Sequence, residues 1–117
     1  MPHIIIECSQ NIVSELECLD ICKVTYDMLA ETQLFSPNDI KSRIHALNNF
    51  YVGPKGKAGS FIHVVIQILE GRDLAIRQDL AKNMFEKLNQ LFSHADSVTV
   101  DLEELSKDTY QKRKFAQ

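Results

Sequence analysis

The spacing of apolar residues switches between two periods along the chain. Ile4, Ile5 and Ile6 form a β-branched run that reads as a buried strand from about Pro2 to Cys8. A polar turn, Ser9-Gln10-Asn11, leads into a helical pattern in which Leu16, Leu19, Cys22, Tyr26 and Leu29 make the apolar stripe. Ser14 with Glu17 three residues on fits a capping box, and the helix is expected to end near Thr32. After Phe35-Ser36-Pro37-Asn38 the period returns to two. Ile40 to Leu47 reads as a second strand, with Ile40, Ser42, Ile44 and Ala46 on one face and Lys41, Arg43, His45 and Leu47 on the other.

Gly53-Pro54-Lys55-Gly56-Lys57-Ala58-Gly59 is a loop that divides the chain nearly in half. Beyond it, Phe61 to Leu69 reads as a strand buried on both faces. Gly71-Arg72-Asp73 turns the chain, with Asp73 as the N-cap of a helix reaching Phe92. Its stripe is Leu80, Met84, Leu88 and Leu91, flanked by Ala81, Phe85 and Phe92. Ser97 to Leu105 sets Val98, Val100 and Leu102 against Thr99, Asp101 and Glu103, a fourth strand with one wet face. The basic tail from Lys107 to Gln117 carries no periodicity. This order predicts one α/β (α+β) domain of tandem βαβ units, residues 2–52 and 60–105 with a tail over 106–117. Each half should hold parallel strands with a right-handed crossover, and two helices should cover one face of a four-stranded sheet. An apolar bare face would require another subunit. The same order also fits a ferredoxin-like split βαβ fold.

Composition narrows the function. A formal net charge of -3 offers no basic footprint for nucleic acid, and no apolar run approaches the length of a membrane span. Cys8, Cys18 and Cys22 follow no secretory leader, so reduced thiols in a cytoplasmic protein are expected. The four histidines and three cysteines lack compact ligand spacing, and neither glycine-containing turn matches a phosphate or dinucleotide fingerprint, so no metal or cofactor is expected. The Met1-Pro2 start is a form that methionine aminopeptidase trims. Trimming would leave the secondary amine of Pro2 at the head of a buried strand. An ordinary α-amino group titrates at about 7.7–8.0; burial or nearby cations would make it a usable base near neutrality.

Several separated stretches carry a resemblance. Met1-Pro2-His3 with Glu7-Cys8-Ser9, Lys41-Ser42-Arg43-Ile44-His45, Phe61-Ile62-His63-Val64, Glu70-Gly71-Arg72-Asp73-Leu74 with Arg77-Gln78, and Leu102-Glu103-Glu104-Leu105 together resemble the 5-carboxymethyl-2-hydroxymuconate isomerase family of the tautomerase superfamily. That resemblance implies two βαβ halves, a homotrimer, and a cofactor-independent proton transfer on a small anionic muconate-type substrate in homoprotocatechuate catabolism. Pro2 would be the base and Arg72 its catalytic partner. Arg43 or Lys41 would bind a substrate carboxylate, and Arg77 would be structural or lie at a subunit contact. If Lys41 stands where relatives carry arginine, a planar fork has become a point charge. Two alternatives stay open: action on another enolisable keto acid or as a dehalogenase-like hydratase, with the loop from Asn48 to Gly59 helping to set that choice, and a non-catalytic small-molecule binding module of ferredoxin-like fold.

Overall fold

Ile4, Ile6 and Cys8 are wholly buried while His3, Ile5 and Glu7 are not, as the two-residue period of a half-covered strand requires. In the computed structural model, which describes residues 1–114, this strand is β1 (His3–Ser9), followed by α1 (Glu15–Glu31), β2 (Lys41–Leu47), β3 (Phe61–Leu69), α2 (Leu74–Leu91) and β4 (Ser97–Leu105). The sheet order is β2-β1-β3-β4. β1 pairs parallel with β2, β3 pairs parallel with β4, and β1 runs antiparallel to β3. Each βαβ half therefore stays intact, and the halves join along their first strands. A split βαβ arrangement would separate β1 from β2, so the ferredoxin-like alternative is excluded.

The core lies between one sheet face and the helices. Ile62, Val64, Ile66 and Ile68 of β3 face it, together with Ile4, Ile6 and Cys8 of β1. From α2 come Leu80, Met84 and Leu88, each four residues from the next. The stripe on α1 differs from the expected one. Its buried residues are Ile21, Thr25 and Leu29, whereas Leu16 and Leu19 are 86% and 76% exposed. Two residues separate Leu19 from Ile21, roughly 200° around the helix. Both faces carry apolar residues, and periodicity placed Leu29 and Tyr26 on the core side correctly but put Leu16 and Leu19 there in place of Ile21. Thr25 belongs inside because its hydroxyl lies 2.7 Å from that of Ser42 on β2, giving each buried oxygen a partner.

Helix ends follow local chemistry with two departures. Ser14 Oγ accepts the Glu17 backbone N–H at 3.2 Å, but the Glu17 carboxylate accepts the Ser14 hydroxyl at 3.1 Å instead of reaching the backbone of Ser14. Asp73 occupies the N-cap of α2 without a side-chain cap; its carbonyl accepts the Arg77 N–H at 3.1 Å. α1 stops where Gln33 turns left-handed at φ 59°. The loop between the halves closes tightly: a Cβ on Gly59 would stand 2.6 Å from Cβ of Val52, so only glycine fits there.

β3 is buried on the helix side alone; Phe61, His63, Val65, Gln67 and Leu69 are half-buried on the other, where the expectation was burial on both faces. Among the described residues no helix lies over that side. Its polar groups pair across strands as the register dictates, with His63 Nδ1 2.6 Å from Thr99 Oγ1 and Gln67 Nε2 donating to Glu103 Oε1 at 3.1 Å. No helix among the described residues is long and apolar enough to cross a membrane.

Replacing wholly buried Leu88 by Ala should cost about 2–5 kcal/mol in denaturant unfolding, whereas Leu16→Ser on the outer face should stay within about 0.5 kcal/mol. A large loss at Leu16 would mean that α1 packs through its other face.

Candidate active site

Register brings four strand ends to one edge of the sheet. His3 pairs with Lys41 on one side and Gln67 on the other, and Leu69 pairs with Leu105, so β1 and β2 begin where β3 and β4 finish. At this edge lies a cavity of about 290 Å3 lined by Met1, Phe35, Leu69, Glu70, Gly71, Arg72 and Lys107. An adjoining open cleft of about 530 Å3 shares Glu70, Gly71 and Arg72 and adds Glu104 and Asp108. The loop from Asn48 to Gly59 joins β2 to β3 at the opposite end of the sheet.

The chain terminus is buried at this edge. Pro2 has no exposed side chain, Met1 is 7% exposed, and the Pro2 carbonyl accepts the Lys41 N–H at 3.1 Å, extending the β1–β2 ladder to the second residue. The terminal amine titrates below its usual 8.0. Burial contributes most, then repulsion from Lys41 and, behind the opposing attraction of Asp39, from Lys112. Lys41 Nζ is steered toward this region by donating to the Asp39 carbonyl at 2.8 Å.

Arg72 arrives through the turn between β3 and α2. Gly71 adopts φ 117°, which a side chain would strain, and this reversal turns the chain between β3 and Arg72 at the cavity wall. Arg72 Nη2 donates to the Leu34 carbonyl at 2.7 Å, and its Cζ stands 4.7 Å from the centre of the Phe35 ring. Arg77 secures the turn from behind, its Nε donating to the Arg72 carbonyl at 3.2 Å and its Nη1 lying 3.3 Å from Glu104 Oε1. Arg77 is thus a structural brace for Arg72.

Arg43 is placed differently. It lies on the helix-free face, where its Nη1 donates to His3 Nδ1 at 3.2 Å. A guanidinium has no acceptor, so Nδ1 must be the unprotonated nitrogen and Nε2–H donates to the Tyr110 hydroxyl at 2.9 Å. His3 titrates below its usual 6.5, through burial first, then Arg43, Lys41 and the terminal amine. Of the residues expected at the site, Pro2, Arg72 and Lys41 gather around the terminus, while Arg43 reaches it through His3.

The tail completes the edge. The Lys107 N–H donates to Glu70 Oε2 at 2.7 Å, Tyr110 meets His3, and Lys112 Nζ lies 3.3 Å from Asp39 Oδ1. The chain thereby runs from the end of β4 past the ends of β3 and β1 toward the start of β2. Sequence reasoning gave the tail no part here, yet Lys107 lines the cavity and Tyr110 and Lys112 tie the tail to His3 and Asp39; its only signal was a concentration of positive charge without periodicity. Residues 115–117 of the tail lie outside the described residues. Among the described residues no group of three or more His, Cys, Asp or Glu side chains is placed to hold a metal ion.

Two βαβ halves joined along their first strands, with two helices on one face of the sheet, make a tautomerase-like fold. A family model for 5-carboxymethyl-2-hydroxymuconate isomerase matches residues 2–115, and the chain belongs to that family. It is 30% identical over 93 residues to the 5-carboxymethyl-2-hydroxymuconate Delta-isomerase of Escherichia coli, spanning 80% of this chain and 74% of that protein. Among solved structures it is similar to a 5-carboxymethyl-2-hydroxymuconate isomerase from Deinococcus radiodurans R1, with TM-score 0.78, 20% identity, and 96% and 88% of the two chains covered. It is also similar to a fused 4-OT protein described as a symmetric trimer, with TM-score 0.78, 9% identity, and 97% and 94% covered. At these identities the structural likenesses carry the fold alone.

Acid should weaken the fold through His3. Between its lowered folded value and the unfolded 6.5, the unfolded chain binds the additional proton, so stability rises with pH across that window. The contribution is complete above 6.5 and lost as pH falls through the folded value. Denaturant midpoints measured on either side of 6.5 should show this dependence, and His3→Gln should flatten it; an unchanged slope in the variant would place the titration elsewhere.

Proposed function

We propose that the protein is a cofactor-independent 5-carboxymethyl-2-hydroxymuconate Delta-isomerase acting in homoprotocatechuate catabolism, with Pro2 as its base once Met1 has been removed. The observation that carries this reading is the place of Pro2, wholly buried at the head of β1 directly after Met1, which lines a cavity walled by Arg72; the Met1 amine is held below its ordinary pKa there, and the Pro2 nitrogen becomes an amine only when Met1 is removed. Loss of Met1 would put a secondary amine at the head of β1, next to the same wall, and relieve the cavity of the Met1 side chain. A neutral amine there takes a proton from one carbon of the bound diene and returns it to another, passing through a dienolate.

The cations divide the remaining work. Arg72 is held by the Leu34 carbonyl and the Phe35 ring, so its guanidinium is preorganised to receive a carboxylate or the oxygen on which negative charge grows. Lys41 is the better placed of the two β2 cations, because its charge reaches the Met1 amine and its N–H bonds the Pro2 carbonyl. It lowers the affinity of that amine for protons and attracts a substrate carboxylate. Arg43, engaged by His3, positions the first residues of β1. Family membership supports this substrate class over other enolisable acids.

Assembly as a homotrimer fits the same reading. Ile5, Phe61, Val65 and Leu69 are half-buried on the helix-free face, which copies of the chain would cover. The unbridged thiols of Cys8, Cys18 and Cys22 fit a reducing, cytoplasmic setting.

Intact mass should show a chain lacking Met1, and Pro2→Ala should lower turnover of a 2-hydroxymuconate about a hundredfold or more while circular dichroism stays unchanged. Equal turnover by the variant, or none by processed wild type on any muconate, sinks the isomerase reading. Lys41→Met removes a positive charge beside the terminus, so the Pro2 amine freed by loss of Met1 should keep its proton to higher pH and the acid limb of the activity profile should move to higher pH; an unmoved limb would put Lys41 out of reach of that amine. Light scattering should give three times 13.4 kDa; a monomer active at assay concentration would refute the trimer.

A further inference from the structure

We infer that Lys107, delivered by the C-terminal tail, is a second substrate-binding residue of this cavity, taking one carboxylate of a ligand whose other charge meets Arg72. The inference rests on the isomerase reading of the site and adds a residue that sets its selectivity: the cavity becomes a receptor for dicarboxylates in preference to monocarboxylates.

The geometry begins with Ser106. Its carbonyl accepts the Tyr110 N–H at 3.0 Å and its hydroxyl accepts the Asp108 N–H at 3.2 Å, folding residues 106–110 into a turn directly after β4. Three contacts hold the tail against the sheet edge: the Lys107 N–H on Glu70, the Tyr110 hydroxyl on His3 and the Lys112 ammonium on Asp39. Lys107 is the residue whose side chain this path presents to the cavity. A Cβ on Gly71 would stand 3.0 Å from Lys107 Nζ, so the ammonium rests against the glycine that precedes Arg72. The bare Gly71 surface leaves room for it.

Charge pairing sharpens the point. Of the acidic groups around the cavity, Glu104 pairs with Arg77 and Asp39 with Lys112, while Glu70 on the cavity wall accepts the tail backbone and keeps its charge, and Asp108 lines the adjoining cleft. Among the described residues neither Arg72 nor Lys107 forms an ion pair with a carboxylate. Two cations on one cavity wall repel each other, and a ligand with two anionic ends relieves that repulsion while a ligand with one relieves half of it. The ammonium supplies a point charge on a flexible stem, beside the fixed planar fork of Arg72.

A matched pair of ligands separates this role from simple solvation of a tail lysine. (E,E)-Muconate carries two carboxylates on a six-carbon diene and has no enolisable carbonyl; sorbate is the same chain with one carboxylate replaced by methyl. Titration calorimetry on the full-length protein should show muconate binding about tenfold or more tightly than sorbate. Lys107→Met should bring the two affinities together by weakening muconate alone, Lys107→Arg should preserve the difference, and Lys114→Met should leave it intact. In turnover, Lys107→Met should raise KM for the muconate substrate with kcat largely kept. An unchanged muconate preference in Lys107→Met, or no preference in wild type, overturns the inference. Muconate preference that depends on Lys107 in a protein without isomerase activity would uphold the anion anchor and defeat the catalytic reading. Activity that depends on Pro2 but is indifferent to Lys107 would do the reverse.

Discussion

A chain end placed on a central strand is held on both flanks. β1 exchanges hydrogen bonds with β2 on one side and β3 on the other, and the β1–β2 ladder extends to the Pro2 carbonyl. Most termini fray because few bonds restrain them. Here the first residues are enclosed, with Pro2, Ile4, Ile6 and Cys8 all buried. The same pairing decides what surrounds the terminus. β2 starting beside β1 supplies Lys41, and β3 ending beside it supplies the Gly71-Arg72 turn. Antiparallel joining of the two halves is therefore what turns two separate stretches of basic sequence into one site.

Electrostatics at that edge follows from crowding. Lys41, Lys112 and burial all disfavour a proton on the terminal amine, and only Asp39 opposes them. Asp39 is itself drawn away by Lys112, whose hydrogen bond holds its carboxyl below the ordinary range. Glu104 pairs with Arg77 and Glu70 holds the tail backbone, so the cavity wall carries Arg72 and Lys107 against the single carboxylate of Glu70. A net negative chain can bind an anion in this way because the field at a site depends on the few nearest charges and on their low-dielectric surroundings.

The half-covered sheet is the other consequence of two helices on four strands. Its bare face carries Ile5, Phe61 and Val65 among His45, His63, Asp101 and Glu103, a mixture that explains why β3 reads as apolar throughout yet is buried on one side within a single chain. Its cross-strand hydrogen bonds at His63 and Gln67 keep the polar members paired without help from a partner.

Element order, the alternation along β4 and the cap at Ser14 were legible in the sequence because each depends on neighbours a few residues apart, whereas β3 reads as buried on both faces and is buried on one. The turn that carries Arg72 was legible too, marked by an apolar strand ending in a glycine of restricted geometry. The inward face of α1 was not, since Leu16, Leu19 and Ile21 compete around one helix and only the sheet selects among them. The difference between Lys41 and Arg43 also waited on the fold. Both share a strand face, but the Asp39 carbonyl and His3 draw their side chains to separate positions. The tail was the least legible part. Its contacts with Glu70, His3 and Asp39 span 37 to 107 residues, and a segment without periodicity shows no local sign of partners so far away. Sequence by itself determined the two βαβ halves and the charge types available to them; tertiary pairing alone decided which charges meet at the terminus, because it sets distances that chain order leaves free.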